Sequence, residues 1–110
     1  MSKGDWLGEF EQVVILAVLR LEGEAYGMEV RREIALRTGR DASIGAVYAT
    51  LERLKDKGYL RAREVDPGGQ GRPRRAYQVT AAGSRTLEQA LAAISKLREG
   101  VRLRPRKAVE

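Results

Sequence analysis

Residues 43–60 read SIGAVYATLERLKDKGYL, and this stretch decides the fold. Ser43 is a good N-cap, and the apolar spacing behind it predicts a helix from Ile44 to Lys57. At 100° per residue, Ile44, Val47, Leu51 and Leu54 fall on one narrow stripe, the core face. Opposite lie Gly45, Ala46, Ala49 and Arg53, with Thr50 beside them and Tyr48 at the border. The outer face near the N-terminus is therefore built from very small side chains. Such a face suits close approach to another surface, either the major groove of a DNA duplex or a second helix, and this segment alone does not choose between them. The N-terminal amides and dipole of the same helix favour a phosphate. Gly58 closes the helix, and Tyr59 opens a strand.

Upstream, two more helices are expected. The first runs from about Trp6 or Leu7 to Leu21. Its second half, Val13 to Leu19, is apolar almost all round, which predicts burial on more than one side. One side packs on the domain core; the other meets a partner subunit or lies deep within the protomer. Gly23 stops this helix, and Glu24 to Gly27 connects it to a second, from about Met28 to Thr38, with Val30 and Ile34 inward and Gly39 at its end.

Downstream, Tyr59 to Asp66 and Arg74 to Val79 read as the two strands of a hairpin. Between them lies Pro67-Gly68-Gly69-Gln70-Gly71-Arg72-Pro73, and the tip carries Arg72, Arg74 and Arg75 without an acid among residues 67–75. Such a tip suits phosphates or the minor groove. The glycines do not form a nucleotide-phosphate loop, because the Gly-Lys-Ser/Thr ending is missing and a strand follows, not a helix. Thr80 is the expected N-cap of a last helix reaching about Glu99, although Gly83 stands where a capping box places Glu or Gln. Leu87, Ala90, Leu91, Ile94, Leu97 and Val101 form its apolar stripe. The tail beyond carries Arg102, Arg104, Arg106 and Lys107 around Pro105 and is expected to be disordered, adding non-specific affinity for a polyanion.

Helix, helix, small-faced helix and basic hairpin is the winged helix-turn-helix order. The expected fold class is mainly α with a small β-hairpin. Residues 1–80 hold the winged helix-turn-helix domain with its N-terminal helix, 81–100 a C-terminal dimerisation helix, and 101–110 the basic tail. The dimer interface is expected to use Trp6, Phe10, Val14, Leu87, Leu91 and Ile94.

Composition narrows the function. The chain has 110 residues, no cysteine and no histidine, which removes thiolate and imidazole metal sites, Cys nucleophiles and His-based triads. Carboxylates such as Glu52 and Asp56 sit beside Arg53 and Lys55 at ordinary helix-surface spacing and read as solvated ion pairs. No enzyme, metal or cofactor is expected. No apolar run is long enough for a membrane span, and a cytoplasmic location is the expectation. The formal net charge of +6 is unevenly spread. Residues 1–30 hold two basic and six acidic residues, and the remaining chain holds nineteen basic and nine acidic ones. A basic body is the footprint of a polyanion binder.

The residues also resemble the PadR-like transcription regulators, over roughly residues 9 to 84. The matching pieces are Tyr26-Gly27; Gly45-Ala46-Val47-Tyr48-Ala49-Thr50-Leu51-Glu52-Arg53-Leu54 with Lys57-Gly58-Tyr59-Leu60; and Gly71-Arg72-Pro73-Arg74-Arg75-Ala76-Tyr77 with Thr80 and Gly83. The single C-terminal helix is similar to the short-tailed branch. The resemblance implies a homodimer on an inverted-repeat operator in double-stranded DNA, usually a repressor. Its third helix would lie in the major groove and its wing on the adjacent backbone or minor groove. Ser43, Gly45, Ala46, Tyr48, Ala49, Thr50, Arg53, Arg72, Arg74 and Arg75 are the DNA-binding residues so expected, with Tyr48 and Thr50 on phosphates. Many relatives carry a second aromatic where this chain has Ala76 and proline where it has Ala49. Family members often release DNA on binding a small hydrophobic molecule. Here Trp6 either lines such an effector pocket or anchors the N-terminus on the partner. A winged helix that binds protein and not DNA is the competing reading, opposed by the basic wing and by Arg53, Lys55 and Lys57. An RNA binder is weaker still, since Tyr59 and Tyr77 make no stacking platform.

Overall fold

A computed structural model describes residues 6–65 and 74–103. Its elements are α1 (Glu9–Arg20), β1 (Ala25–Tyr26), α2 (Gly27–Thr38), α3 (Ile44–Asp56), β2 (Leu60–Val65), β3 (Arg74–Val79) and α4 (Ala81–Arg98). The expected wing tip with Arg72, and the tail from Arg104 onward, lie outside the described residues.

Local chemistry sets the boundaries. In α1 the Glu11 carboxylate accepts the Gly8 N–H at 2.8 Å, and Gln12 Nε2 donates to the Leu7 carbonyl at 3.1 Å. These contacts start the helix at Glu9, later than Trp6 or Leu7. Glu29 closes the start of α2 in the same way, accepting the Tyr26 N–H at 3.1 Å. Ser43 caps α3 as expected, its Oγ accepting the Ala46 N–H at 3.0 Å. At the other end Gly58 takes φ +84°, and the Tyr59 N–H returns to the Leu54 carbonyl at 2.9 Å. That left-handed residue turns the chain from α3 straight into the hairpin.

The hairpin strands pair antiparallel from Leu60↔Val79 to Val65↔Arg74. The sheet has a third strand that the sequence does not announce. β1 pairs with β3 through Ala25↔Tyr77 and Tyr26↔Ala76, giving the order β1-β3-β2. What reads as a connection between helices is thus a short edge strand that ties the α1–α2 corner to the wing.

The core gathers Val14, Ile15 and Val18 of α1, Val30 and Ile34 of α2, Val47, Leu51 and Leu54 of α3, Leu60, Tyr77 and Leu87. The α3 stripe is the expected one, with Ile44 half-buried at its edge. α1 divides its apolar surface as its composition requires: Val14, Ile15, Ala17 and Val18 face inward, and Leu16 and Leu19 point out at 40% and 41% exposure. Two residues expected at a dimer interface are already committed to this core. Val14 is fully buried and Leu87 nearly so, because each lies on the protomer side of its helix, which leaves no surface to offer a partner. None of the described helices is long and apolar enough to cross a membrane.

α4 is anchored at its first turn. Thr80 donates its N–H to the Tyr59 carbonyl at 3.1 Å and its hydroxyl to the Gly58 carbonyl at 2.8 Å. The same Oγ1 accepts the Gly83 N–H at 3.0 Å. Beyond Ala90 the helix leaves the core, and Leu91, Ile94 and Leu97 stand exposed along it, followed by Val101.

Candidate nucleic-acid interface

The face of α3 that turns away from the core is exposed at Gly45, Ala46, Tyr48 and Ala49, with Ser43 exposed at its N-terminus. A side chain at Gly45 would meet nothing within 4 Å. The face is therefore open and shallow over its first two turns.

Tyr48 defines one edge. Its ring lies over Gly27, where a Cβ would come 2.4 Å from ring carbons and 2.8 Å from the hydroxyl. Gly27 is the first residue of α2, so the close approach places the Tyr48 hydroxyl beside the amide end of that helix. The obstacle an added methyl meets is the far end of a side chain, which can swing away. Gly27→Ala should then displace Tyr48 at a stability cost of no more than about 1–2 kcal/mol. The expected result is weaker duplex binding with a small change in melting temperature; unchanged binding would remove Tyr48 from the interface.

The other edge departs from the sequence reading. Thr50 is 3% exposed and cannot reach a phosphate. It sits on the flank between the outer face and the core stripe, turned toward α1. Arg53 lies on the same flank, and its guanidinium is engaged: Nε donates to Glu11 Oε2 at 3.1 Å, while one terminal nitrogen lies 3.4 Å from Thr50 Oγ1. Lys57 Nζ reaches the same Glu11 oxygen at 3.1 Å. Burial pushes the Glu11 carboxyl up, but the Gly8 amide, Lys57 and Arg53 together outweigh it and hold the group below its usual value.

On the wing, Arg74 and Arg75 differ. Arg74 is exposed and lies over the Tyr26 ring, 3.8 Å from its centroid. Arg75 is half-buried and faces α3, with Nε 3.1 Å from Glu52 Oε2 and a terminal nitrogen 3.7 Å from Glu64. Tyr77, fully buried, donates its hydroxyl to the same Glu52 oxygen at 2.6 Å. That bond, aided by Lys55 and Arg75, keeps the Glu52 carboxyl below its ordinary value. Burial, then Glu52 itself, pushes the Tyr77 hydroxyl up to about 12, so it stays protonated and donating. Glu52 thus fixes the wing to α3. In the sequence it reads as a member of a solvated ion pair, because these partners come from a strand more than twenty residues away.

The remaining expected interface residues divide. Trp6 is 74% exposed, Leu91 41% and Ile94 58%, so all three offer surface. Phe10 is half-buried, with the Arg40 guanidinium 4.9 Å from its ring centroid. Beside Leu16 a groove of about 270 Å³ runs between α1 and α2, floored by Val13, Ala17 and Ile34 and rimmed by Arg20 and Arg37. Glu33 bridges those two arginines at 3.1 and 3.0 Å, so the rim is partly neutralised.

Comparison with known proteins agrees with this architecture. Solved structures similar to the chain include a PadR-like transcription factor from Bacteroides fragilis, at 26% identity and a TM-score of 0.69, covering 82% of this chain and 84% of that one. A PadR family transcriptional regulator from Eggerthella lenta is 27% identical with a TM-score of 0.63, over 84% and 88% of the two chains. A winged-helix DNA-binding protein from STIV shares the fold at 18% identity and a TM-score of 0.70, over 89% of this chain and all of that one. No curated protein sequence matches the chain significantly. The family model described as the transcriptional regulator PadR-like family matches residues 15–89, from the middle of α1 through most of the first half of α4. With that model spanning more than half of the chain, the chain belongs to the PadR-like family of transcriptional regulators.

Proposed function

We propose that the protein is a homodimeric repressor that works in the cytoplasm, binding an inverted-repeat operator in double-stranded DNA. Residues 1–80 form the DNA-binding domain, 81–100 the dimerisation helix and 101–110 a basic tail. The observation that carries this reading is the outer face of α3: Gly45, Ala46 and Ala49 leave the helix bare enough to enter a major groove, beside Tyr48 and the exposed Arg74 of the wing. Ser43 brings the N-terminal end of α3, with the positive end of its dipole, to the same surface. Arg53 contributes from the flank, Arg75 acts mainly by holding the wing, and Arg72 belongs to the wing tip.

Dimerisation is supported by the apolar surface left over in the protomer: Leu16 and Leu19 on α1, and Leu91, Ile94 and Leu97 on α4. Trp6 and Phe10 extend that surface. A small hydrophobic effector would find apolar lining in the α1–α2 groove, which Trp6 does not line.

The test is selection of bound duplexes from a randomised library, followed by salt titration of the winning site. An inverted repeat with half-site centres about one helical turn, or a multiple of it, apart is the expected product. Affinity for it should fall steeply with salt as neutralised phosphates release counterions. Recovery of nothing above background would leave a winged helix that binds protein.

A further inference from the structure

Glu11 stands apart from the other carboxylates. Among the described residues it is the buried acid, at 7% exposure. Three donors from two elements meet on it: the Gly8 N–H, Arg53 Nε and Lys57 Nζ, the two cations sharing Oε2 at 3.1 Å each. Arg53 of α3 and Lys57, which caps the C-terminus of that helix, are four residues apart on the flank that borders its open face. Glu11 comes from a different helix, α1. A carboxylate this enclosed is retained only where its charge is answered, and its answer consists of two cations drawn from the helix that presents Gly45, Ala46 and Ala49.

One carboxylate offsets only one of the two cations, so the cluster keeps a net charge of +1 with both side chains partly exposed. A side chain paired with a carboxylate gains less when a phosphate approaches, because it must first leave its partner. The other basic groups near the interface do not share this constraint to the same degree. Arg74 rests on the Tyr26 ring and pairs with no carboxylate among the described residues, and Glu52 is divided among Tyr77, Lys55 and Arg75.

We propose that Glu11 is a positioning residue for DNA binding: from α1 it holds Arg53 and Lys57 against the flank of α3 and so keeps their charge from driving sequence-independent attachment to phosphate. The inference rests on the DNA-binding reading and adds to it a residue outside the expected interface. Its effect is on discrimination. With Arg53 and Lys57 held, contact depends more on the fit of the small face into a groove and less on charge that any duplex satisfies.

The test is salt titration of a random-sequence duplex by fluorescence anisotropy, with wild type, Glu11→Gln, the pair Arg53→Ala with Lys57→Ala, and the triple variant. Glu11→Gln should bind more tightly and steepen the log–log salt slope by about 1, the one positive charge that the carboxylate offsets. The pair should reduce the slope by no more than about 1 in the wild-type background and by about 2 in the Glu11→Gln background. Loss of a buried hydrogen-bond network alone would weaken binding without steepening the slope. A slope unchanged by Glu11→Gln overturns the inference while leaving DNA binding intact. So does a drop of about 2 caused by the pair in wild type, a result that does not depend on the Gln variant folding. Failure of wild type to bind any duplex overturns both readings together.

Discussion

Gly83→Ala should lower the melting temperature by about 10–20 °C, the equivalent of about 2–3 kcal/mol in a domain of this size. A Cβ at this position would lie 2.1 Å from the Tyr59 carbonyl oxygen, 3.0 Å from its carbon and 3.1 Å from the Tyr59 Cα. All three are backbone atoms that no rotamer change can move. The obstructed carbonyl is also the acceptor of the Thr80 N–H, at the point where α4 begins. One added methyl therefore pushes on the contact that holds α4 to the α3–β2 turn. Lifting the helix to relieve it would also loosen Leu87 and Ala90 from the core. Thermal unfolding followed by circular dichroism measures the effect. A shift of less than about 3 °C would mean that the first turn of α4 can slide without loss, and the anchor described above would carry less than its geometry suggests.

The second large effect belongs to the exposed half of α4. Leu91→Asp combined with Ile94→Asp should convert the proposed dimer to monomer and reduce operator affinity by at least about a hundredfold. Each side chain that is buried at an interface contributes on the order of 1.5–3 kcal/mol, and a two-fold interface loses every contact twice. Placing carboxylates there adds the cost of desolvating charge. The protomer itself should survive, since Leu91 and Ile94 are 41% and 58% exposed and lie outside the core. Light scattering reads the mass, and circular dichroism confirms the fold. A dimer that persists with both changes removes α4 from the interface, and the apolar outer side of α1 would then carry it alone.

Much of this architecture is legible in the sequence, for identifiable reasons. The α3 stripe, the Ser43 cap and strand β3 each depend on neighbours within a few residues, so local spacing determines them. β1 escapes because two residues cannot display an alternation, and only pairing with Ala76 and Tyr77 makes them a strand. The misplacement of Thr50 is a matter of angle: a residue on the flank of a helix is exposed or buried according to what packs there, and α1 packs there. Val14 and Leu87 fail as interface residues for the same reason. The charge pattern is the most instructive case. The acidic first thirty residues and the basic body look like separate regions, yet Glu9 pairs with Arg40, Glu11 with Arg53 and Lys57, and Glu24 with Arg63. Part of the apparent polyanion-binding charge is satisfied inside the protomer, which sequence separations of 31 to 46 residues conceal.

The hydroxyl and amide of Thr80 fasten α4 to Gly58 and Tyr59, at the foot of the hairpin and the tail of α3. α4 is consequently a lever whose foot is shared with α3 and the hairpin, the elements of the proposed DNA-binding face. The part of α4 beyond Ala90 makes an arm of about 12 Å, so a tilt of about 5° moves its far end by about 1 Å. If two such arms cross in the proposed dimer, a small rearrangement at the crossing would bear on each winged helix through that anchor. In the proposed dimer, the spacing between the two winged helices would then depend on how firmly Thr80, Gly83, Leu87 and Ala90 hold α4.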